Sequence, residues 1–583
     1  MLSDKQSVRD LVELCYLKGI KQVVISPGSR NAPLTISFAE HGSFECLSII
    51  DERSAAFFAL GLSQRSNTPT VLLCTSGSAM LNYAPAIAEA YYQHIPLFVI
   101  SADRPKKWID QGEGQSIRQY GAFNNYIRGS FELEESADTA GVEKNIRLIN
   151  EALSRCLQPT PGPVHLNIPL DEPLYNKREY SEESLPNLSP TPSANLEIPP
   201  TQWSYLSETW QRSQKILILT GMMHSQDNLE KLLEKLAVKH SHLAILTETT
   251  SNLTSGKFTG NIDRNLTAID SLQESDYIPD LLIVLGHNII SKKVKYWLRK
   301  HQLVEHWHID AWGDFQNTFD QLTQKIQISP SKLFEYLLQL PASGRSEYSN
   351  KWESIALQTE TWHKIFLTNC PWSDLKVFHH INENIPSGTS IQLSNSTVVR
   401  YMQLFHQKHP NTQSANRGVS GIDGCSSTAV GASWNDNNMT VFITGDIAFG
   451  YDANAYWHDY LHPRLKIIVL SNGGGGIFRF IEGPSTTAQF EQFFETPKSG
   501  HVLAIANRYD LPYYSAANED ELNDIFPQFI QNNISNRPSI LEIFTPREHN
   551  DEVLKDYFEF IRQQCSRQHT SHSGHATQTR SNP

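Results

Sequence analysis

Cysteine is scarce in this chain, and an excess of basic residues is missing altogether. The 583 residues include seven cysteines, an odd number, and no two are spaced as CxxC. That argues against a disulfide framework or a zinc site and suits a reducing, cytoplasmic setting. Lys+Arg number 49 against 62 Asp+Glu, a net charge of -13, which argues against nucleic acid as the main partner. No uninterrupted apolar run is long enough to span a bilayer, so no membrane insertion is expected. The N-terminal stretch "MLSDKQSVRDLVELCYLKGI" has acids inside its apolar pattern and reads as an amphipathic helix rather than a signal peptide. The Walker ending GKS or GKT is absent too.

With 39% apolar and 19% charged residues the chain can bury large cores, and at roughly 150 residues per domain its length holds three or four domains. Three blocks alternate strand-like and helix-like runs. The first contains "KQVVISPGSR", "DERSAAFFALGLSQR" and "TPTVLLCTSGSAMLNYAPAIAEAYYQHIPLFVISADRP", with "GPVHLNIPLDEP" as a last strand. The second contains "KILILTGMMHS" and "DLLIVLGHNIISKKVKYW"; the third contains "TSIQLSNSTVVRYM", "MTVFITGD", "RLKIIVLSNGGGG" and "SILEIF". Buried strands separated by helices predict α/β domains with parallel sheets flanked by helices. The expected division is residues 1–180, a proline- and serine-rich extended linker at 181–202, a central domain at 203–345, a third domain at 346–563, and a polar, disordered tail at 564–583. Ligands of such sheets gather at the carboxyl ends of strands, so the loops after these apolar runs are the places to search.

The four glycines of "SNGGGGIF" suggest a nucleotide loop, but the spacing fails. Counting from Gly473, the third glycine of GxGxxG falls on Phe478; counting from Gly474, it falls on Arg479. Asp446 ends one predicted strand and Asn472 ends the next, with a helix-like crossover between them. Their hard oxygens would reach the same sheet edge, a donor set that suits magnesium shared with phosphate oxygens. The glycines would then let backbone close around metal and phosphate, with a carbonyl of Gly473 or Gly474 in the metal shell. Upstream, Glu52 follows a strand end and opens an apolar helix. It reads either as a dipole-stabilised helix acid or as a buried acid kept protonated for catalysis.

The Gly445-Asp446 to Asn472 spacing resembles the diphosphate motif of thiamine diphosphate enzymes, with Ile447 where a Gly is usual and Ser471 where an Asn is usual. Together with "ISPGSRNAPLT", "DERSAAFFALGL", "TSGSAMLNYAPAIAEA", "SADRP", "GQSIRQ", "NSTVVR" and "NRGVSGIDG", the chain resembles the 2-succinyl-5-enolpyruvyl-6-hydroxy-3-cyclohexene-1-carboxylate synthases of menaquinone biosynthesis. The resemblance implies a pyrimidine-binding first domain, a diphosphate-binding third domain, and thiamine diphosphate with Mg2+, Mn2+ being an alternative. It implies decarboxylation of 2-oxoglutarate and addition of the resulting succinyl carbanion to isochorismate. It also implies a homodimer or dimer of dimers with the active site between subunits.

By the same resemblance Glu52 and Gln115 are catalytic. The cofactor would be held by Glu52, Gly77, Ile422, Gly445, Asp446, Ile447, Asn472, Gly474 and Ile477, and the metal by Asp446, Asn472 and Gly474. Ser29, Arg30 and Arg104 would bind isochorismate, and Ser396 and Arg400 the succinyl carboxylate. Lys292 and Arg417 would complete the basic cluster, and Ile477 and Phe478 would form an apolar wall. Lys293 and Gly114 depart from residues that relatives carry. Arginines suit substrates with several carboxylates because their fork binds carboxylate bidentately. Three other readings compete: an acetohydroxyacid-synthase-like carboligase, a non-catalytic protein of the same fold, and a nicotinamide oxidoreductase. The last is weakened by the failed glycine spacing.

Overall fold

The apolar runs ending in Gly, Ser or Thr form parallel strands in the computed structural model. It describes residues 1–135, 138–179, 196–224, 226–342, 346–407, 409–480, 483–497, 500–531 and 535–576. A short antiparallel ribbon, β1 (Leu2–Ser3) with β8 (Lys177–Arg178), ties together the ends of the first domain. The first sheet holds β2 (Gln22–Ile25), β3 (Glu45–Ser48), β4 (Thr70–Cys74), β5 (Leu97–Asp103), β6 (Ser130–Glu132) and β7 (Val164–Pro169), in the order β3-β2-β4-β5-β7-β6. The second holds β9 (Ile216–Thr220), β10 (Leu243–Thr247), β11 (Leu281–Leu285), β12 (Glu305–Ile309) and β13 (Gln324–Ile326), ordered β10-β9-β11-β12-β13. The third holds β14 (Ser390–Leu393), β15 (Thr412–Ala415), β16 (Thr440–Gly445), β17 (Leu465–Ser471), β18 (Tyr513–Ala516) and β19 (Ser539–Phe544), ordered β15-β14-β16-β17-β19-β18. Every pairing in the three sheets is parallel.

When each sheet's strands are counted from its own first, the first and third sheets have one and the same strand order. In both, the chain moves outward from the first strand and then reverses to the other side. The reversal opens a crevice between β2 and β4, and again between β14 and β16. The loops bearing Ser29, Arg30 and Gly77 leave the crevice of the first sheet, and the segments bearing Ser396, Arg400 and Asp446 leave that of the third sheet.

Two buried helices join these sheets. The helix Glu52–Ser66 lies against the helix Cys425–Trp434, and one apolar core runs from Leu72 and Val99 through Phe57 and Val430 to Phe442 and Val469. Glycines allow the approach: a β-carbon on Gly61 would lie 2.1 Å from the Thr428 carbonyl oxygen, and one on Gly431 would lie 2.1 Å from that of Phe58.

Two expectations change. The linker at 181–202 falls largely outside the described residues, and its end is already helical, because the helix Pro200–Arg212 starts inside it. The tail is not irregular from 564: the helix Asn550–Ala576 continues into it as far as Ala576, and residues 577–583 lie outside the described residues. Tyr557, Ile561 and Cys565, four residues apart, are all fully buried, so the apolar stripe carries the helix past the polar residues between them.

Candidate active site

Asp446 stands at the end of β16 and opens the short helix Asp446–Tyr451. Its carboxylate accepts the N–H of Ile447 at 2.7 Å and of Gly473 at 3.1 Å. His501 donates from Nε2 to the Asp446 carbonyl at 2.8 Å. Burial pushes the Asp446 carboxyl up to about 7 despite these N–H contacts. Asn472, just past β17, donates from Nδ2 to Asp374 at 2.9 Å. Asp446, Asn472, Gly473, His501 and Thr545 line a cavity of about 200 Å³. An acid oxygen and an amide oxygen at one sheet edge are a donor set that fits a hard divalent cation.

Among the glycines, Gly473 takes a φ of +78° and lines this cavity. The Gly474 carbonyl accepts from the Gly476 N–H at 2.9 Å, closing a tight turn, and the Gly475 N–H reaches the Glu495 carbonyl at 2.7 Å. Ile477 opens the single turn Ile477–Phe480, and the Phe478 ring packs 5.8 Å from that of Phe494. Ile422 is only half-buried beside Gly421, whose carbonyl accepts from Asn395 at 2.6 Å, so it does not belong to the closed core.

In the first domain, Arg30 donates to the Leu170 carbonyl at 2.9 Å and pairs with Glu172 at 3.3 Å. Burial, and then the nearby Arg104, lower its pKa. Arg104 donates to the Gly114 carbonyl at 2.9 Å, in the loop that carries Gln115. Gly77 has a φ of +88°, and a β-carbon there would lie 3.1 Å from the Gln115 Cα. Its N–H donates to Gln119 Oε1 at 2.7 Å. Ser29 is exposed at the same edge. The structure therefore brings Arg30, Gly77, Arg104 and Gln115 together.

Glu52 is half-buried, and burial raises its pKa. Helix capping falls to Asp51, which accepts from the Ser54 N–H at 3.1 Å. Asp51 and Arg53 contact Asn454 and the Tyr451 carbonyl at 2.7 and 3.0 Å. These contacts lie at and beyond the far end of the helix that Asp446 opens, so Glu52 does not meet Asp446 directly within one chain.

A second basic cluster forms between the central and third domains. Arg400 donates to the Ile290 carbonyl at 3.3 Å, and Arg417 to Asn395 Oδ1 at 3.0 Å. Ser396, with a φ of +75°, sits in the loop between Asn395 and Arg400. Lys292 is exposed at the start of the helix Lys292–Lys300. The Lys293 amine turns away, bonding Thr267 and lying 4.1 Å from the Phe558 ring. Lys295, one helical turn on from Lys292, faces Glu248, Arg417 and Arg400 instead. The Nε atoms of Arg104, Arg400 and Arg417 are buried without a hydrogen-bond partner among the described residues, as are the hydroxyls of Ser76 and Ser116. Buried donors left open at strand-end loops point to a ligand.

Sequence reasoning missed Lys295, Asp374, Glu248, His501 and Glu89, whose carboxylate accepts the Val419 N–H at 2.8 Å. The only signal for Lys295 is its place on the helix face one turn from Lys292. Nothing in the local sequence marks the other four.

A family model described as "Thiamine pyrophosphate enzyme, N-terminal TPP binding domain" matches residues 7–122. The solved benzoylformate decarboxylase of Polynucleobacter necessarius has the same fold, with a TM-score of 0.68 over 94% of this chain and 99% of that one at 16% identity. Fold and site define a thiamine diphosphate-dependent enzyme. The 2-succinyl-5-enolpyruvyl-6-hydroxy-3-cyclohexene-1-carboxylate synthase of Flavobacterium johnsoniae is 41% identical over 559 residues, covering 94% of this chain and 98% of that protein. The synthase of Porphyromonas gingivalis is 39% identical over 572 residues, covering 96% and 98%. The chain belongs to the 2-succinyl-5-enolpyruvyl-6-hydroxy-3-cyclohexene-1-carboxylate synthase family.

Proposed function

We propose that this enzyme decarboxylates 2-oxoglutarate and adds the succinyl carbanion to isochorismate, releasing carbon dioxide and the product for which its family is named. The observation that carries the reading is the set of open guanidinium donors on Arg104, Arg400 and Arg417, which follow strands of the first and third sheets as Asp446 and Asn472 follow theirs. The substrates carry several carboxylates between them, and a protein of net charge -13 gathers cations here.

Asp446 and Asn472 would hold magnesium, with manganese as a substitute, against the cofactor diphosphate. The Gly474 carbonyl, which also accepts the Gly476 N–H, would join the shell. Gly445, Ile447 and Gly77 border the cofactor, and Ile422 and Ile477 provide apolar contact. Bound thiamine diphosphate supplies the carbanion chemistry. Half-burial favours the neutral acid at Glu52, which would share its proton with the cofactor's aminopyrimidine. Arg400 and Ser396 orient the distal carboxylate of 2-oxoglutarate, with Lys292, Lys295 and Arg417 adding charge. Ser29, Arg30 and Arg104 hold isochorismate, Gln115 hydrogen-bonds the reacting groups, and Phe478 walls off water.

Because Glu52 and Asp446 lie apart in one chain, the site is completed by the first domain of a second copy, in a homodimer or a dimer of dimers. Seven free cysteines suit a cytoplasmic location, and no helix among the described residues is long and apolar enough to cross a membrane. The test is one assay with purified protein, thiamine diphosphate, magnesium, 2-oxoglutarate and isochorismate. Carbon dioxide release with a succinylated ring product is expected. Turnover of pyruvate, with none of this pair, would overturn the reading in favour of a carboligase of the acetohydroxyacid-synthase kind.

A further inference from the structure

The amide of Asn472 has two ends, and only its oxygen can ligate a metal. Which end faces the cavity is settled by its hydrogen-bond partners. Four buried or half-buried groups form a chain whose direction starts at a backbone N–H, a group that can only donate. The Asp374 N–H donates to Asn550 Oδ1 at 2.7 Å. That places the Asn550 amide nitrogen on Thr545, to which it donates at 3.2 Å. The Thr545 hydroxyl, accepting there, turns its own hydrogen to Asp374 Oδ1 at 2.6 Å. The other oxygen, Asp374 Oδ2, then accepts from Asn472 Nδ2 at 2.9 Å. The Asn472 oxygen is left for the cavity it lines with Asp446 and Gly473. Asp374 is 1% exposed, Asn550 5% and Thr545 8%, so water does not compete for these bonds.

We infer that Asp374 is a positioning residue that locks the Asn472 amide with its oxygen toward the metal pocket. The inference rests on reading Asp446 and Asn472 as the metal site. It assigns to the start of the helix Asp374–Asn384, which contributes no predicted ligand, control over metal affinity. Partners of this kind commonly change metal affinity by about 10–100-fold when removed.

The experiment measures Mn2+ affinity in the presence of thiamine diphosphate, from the free Mn2+ signal in electron paramagnetic resonance. Asp374→Leu is expected to weaken Mn2+ binding by about tenfold or more. Asp374→Asn, which still offers an oxygen to Asn472 Nδ2, should stay within about fivefold of wild type. The decisive comparison uses an Asn472→Asp background, where either oxygen can ligate and no orientation is needed. There Asp374→Leu should cost nothing, or should improve binding by removing a neighbouring carboxylate. Equal losses in both backgrounds would show a merely structural role and overturn the inference, as would wild-type affinity in Asp374→Leu. If Asp374→Leu does not fold, Thr545→Val serves in its place; it frees Asp374 to turn and should weaken Mn2+ binding several-fold only when residue 472 is Asn. Asp446→Ala separates the two readings: unchanged Mn2+ binding there overturns the metal site itself, whereas loss there with no effect at Asp374 overturns only the positioning role.

Discussion

The carboxylate of Glu89, on the helix Ala84–Gln93 of the first domain, accepts the backbone N–H of Val419 in the third domain at 2.8 Å, and that of Gly418 at 2.5 Å. Glu89 is 1% exposed. A β-carbon on Gly418 would lie 2.5 Å from the Glu89 carbonyl oxygen, so the loop can approach only as glycine. The same loop carries Arg417 and leads to Ile422. Glu89 thus ties the first domain to a segment proposed to touch both substrate and cofactor.

Replacing Glu89 with Gln puts an NH2 group against one of these N–H donors. A buried hydrogen-bond partner lost in this way costs about 1–3 kcal/mol. We expect a lower melting temperature and a several-fold higher KM for 2-oxoglutarate, read by thermal denaturation and steady-state kinetics. An unchanged KM would mean that the loop holds its shape without Glu89.

The crossing of the helices Glu52–Ser66 and Cys425–Trp434 predicts a second effect. Alanine at Gly61 or Gly431 places a methyl 2.1 Å from a backbone oxygen, which cannot move as a side-chain tip does. The helices must separate, at a cost of about 1–3 kcal/mol or more. Each variant should melt several degrees below wild type, and the double variant should lose less than the sum, because one separation relieves both clashes. Wild-type melting of Gly431→Ala would contradict the close packing.

How much of this could be read from residue order depends on how local the signal is. The strands before Ser29, Gly77, Arg104, Ser396, Asp446 and Asn472 were legible, because a parallel strand buried on both faces is a continuous apolar run, whereas Thr412–Ala415, which leads to Arg417, is polar and was not. Asp446 and Asn472 were legible because each follows such a run directly, and Glu52 because it opens the apolar helix Glu52–Ser66. The edge strand Ser130–Glu132 was not: it is three residues long and buries only Phe131. Glu89, Glu248 and Asp374 were not legible either, since their partners include groups 329, 42 and 98 positions away. A lone acid in an apolar stretch carries no mark of what it will hold. Lys295 was hidden differently, among neighbouring lysines whose directions only the helix face decides.

Glu52 allows a test of chemistry apart from binding. Glu52→Gln keeps the size of the side chain but cannot share an acidic proton. Proton transfer by a positioned acid contributes about 10²–10⁴-fold in rate. Turnover should fall within that range, while cofactor affinity, followed by quenching of protein fluorescence, changes little. Wild-type turnover would remove Glu52 from the catalytic role.

The last prediction concerns pH and Glu248, which is 2% exposed and accepts from the Ile290 N–H at 2.7 Å and the Ser291 N–H at 2.7 Å. Burial pushes its carboxyl up to about 7; the two N–H groups and Lys295 pull it down, and Asp263 pushes it up. Arg400 and Arg417 face the same carboxylate. Ionised Glu248 therefore competes with a substrate carboxylate for the cations proposed to bind it, and protonated Glu248 does not. The ligand stays a dianion across this range, so the protonated form favours binding: affinity for 2-oxoglutarate should be highest below about pH 7 and fall as pH rises through it. A coupling of about one pKa unit between the two carboxylates corresponds to about tenfold in affinity. Glu248→Gln, uncharged at every pH, should hold the low-pH KM throughout, so its KM profile should be flat where the wild type's rises. A profile of the same slope in both proteins would assign the titration to another group.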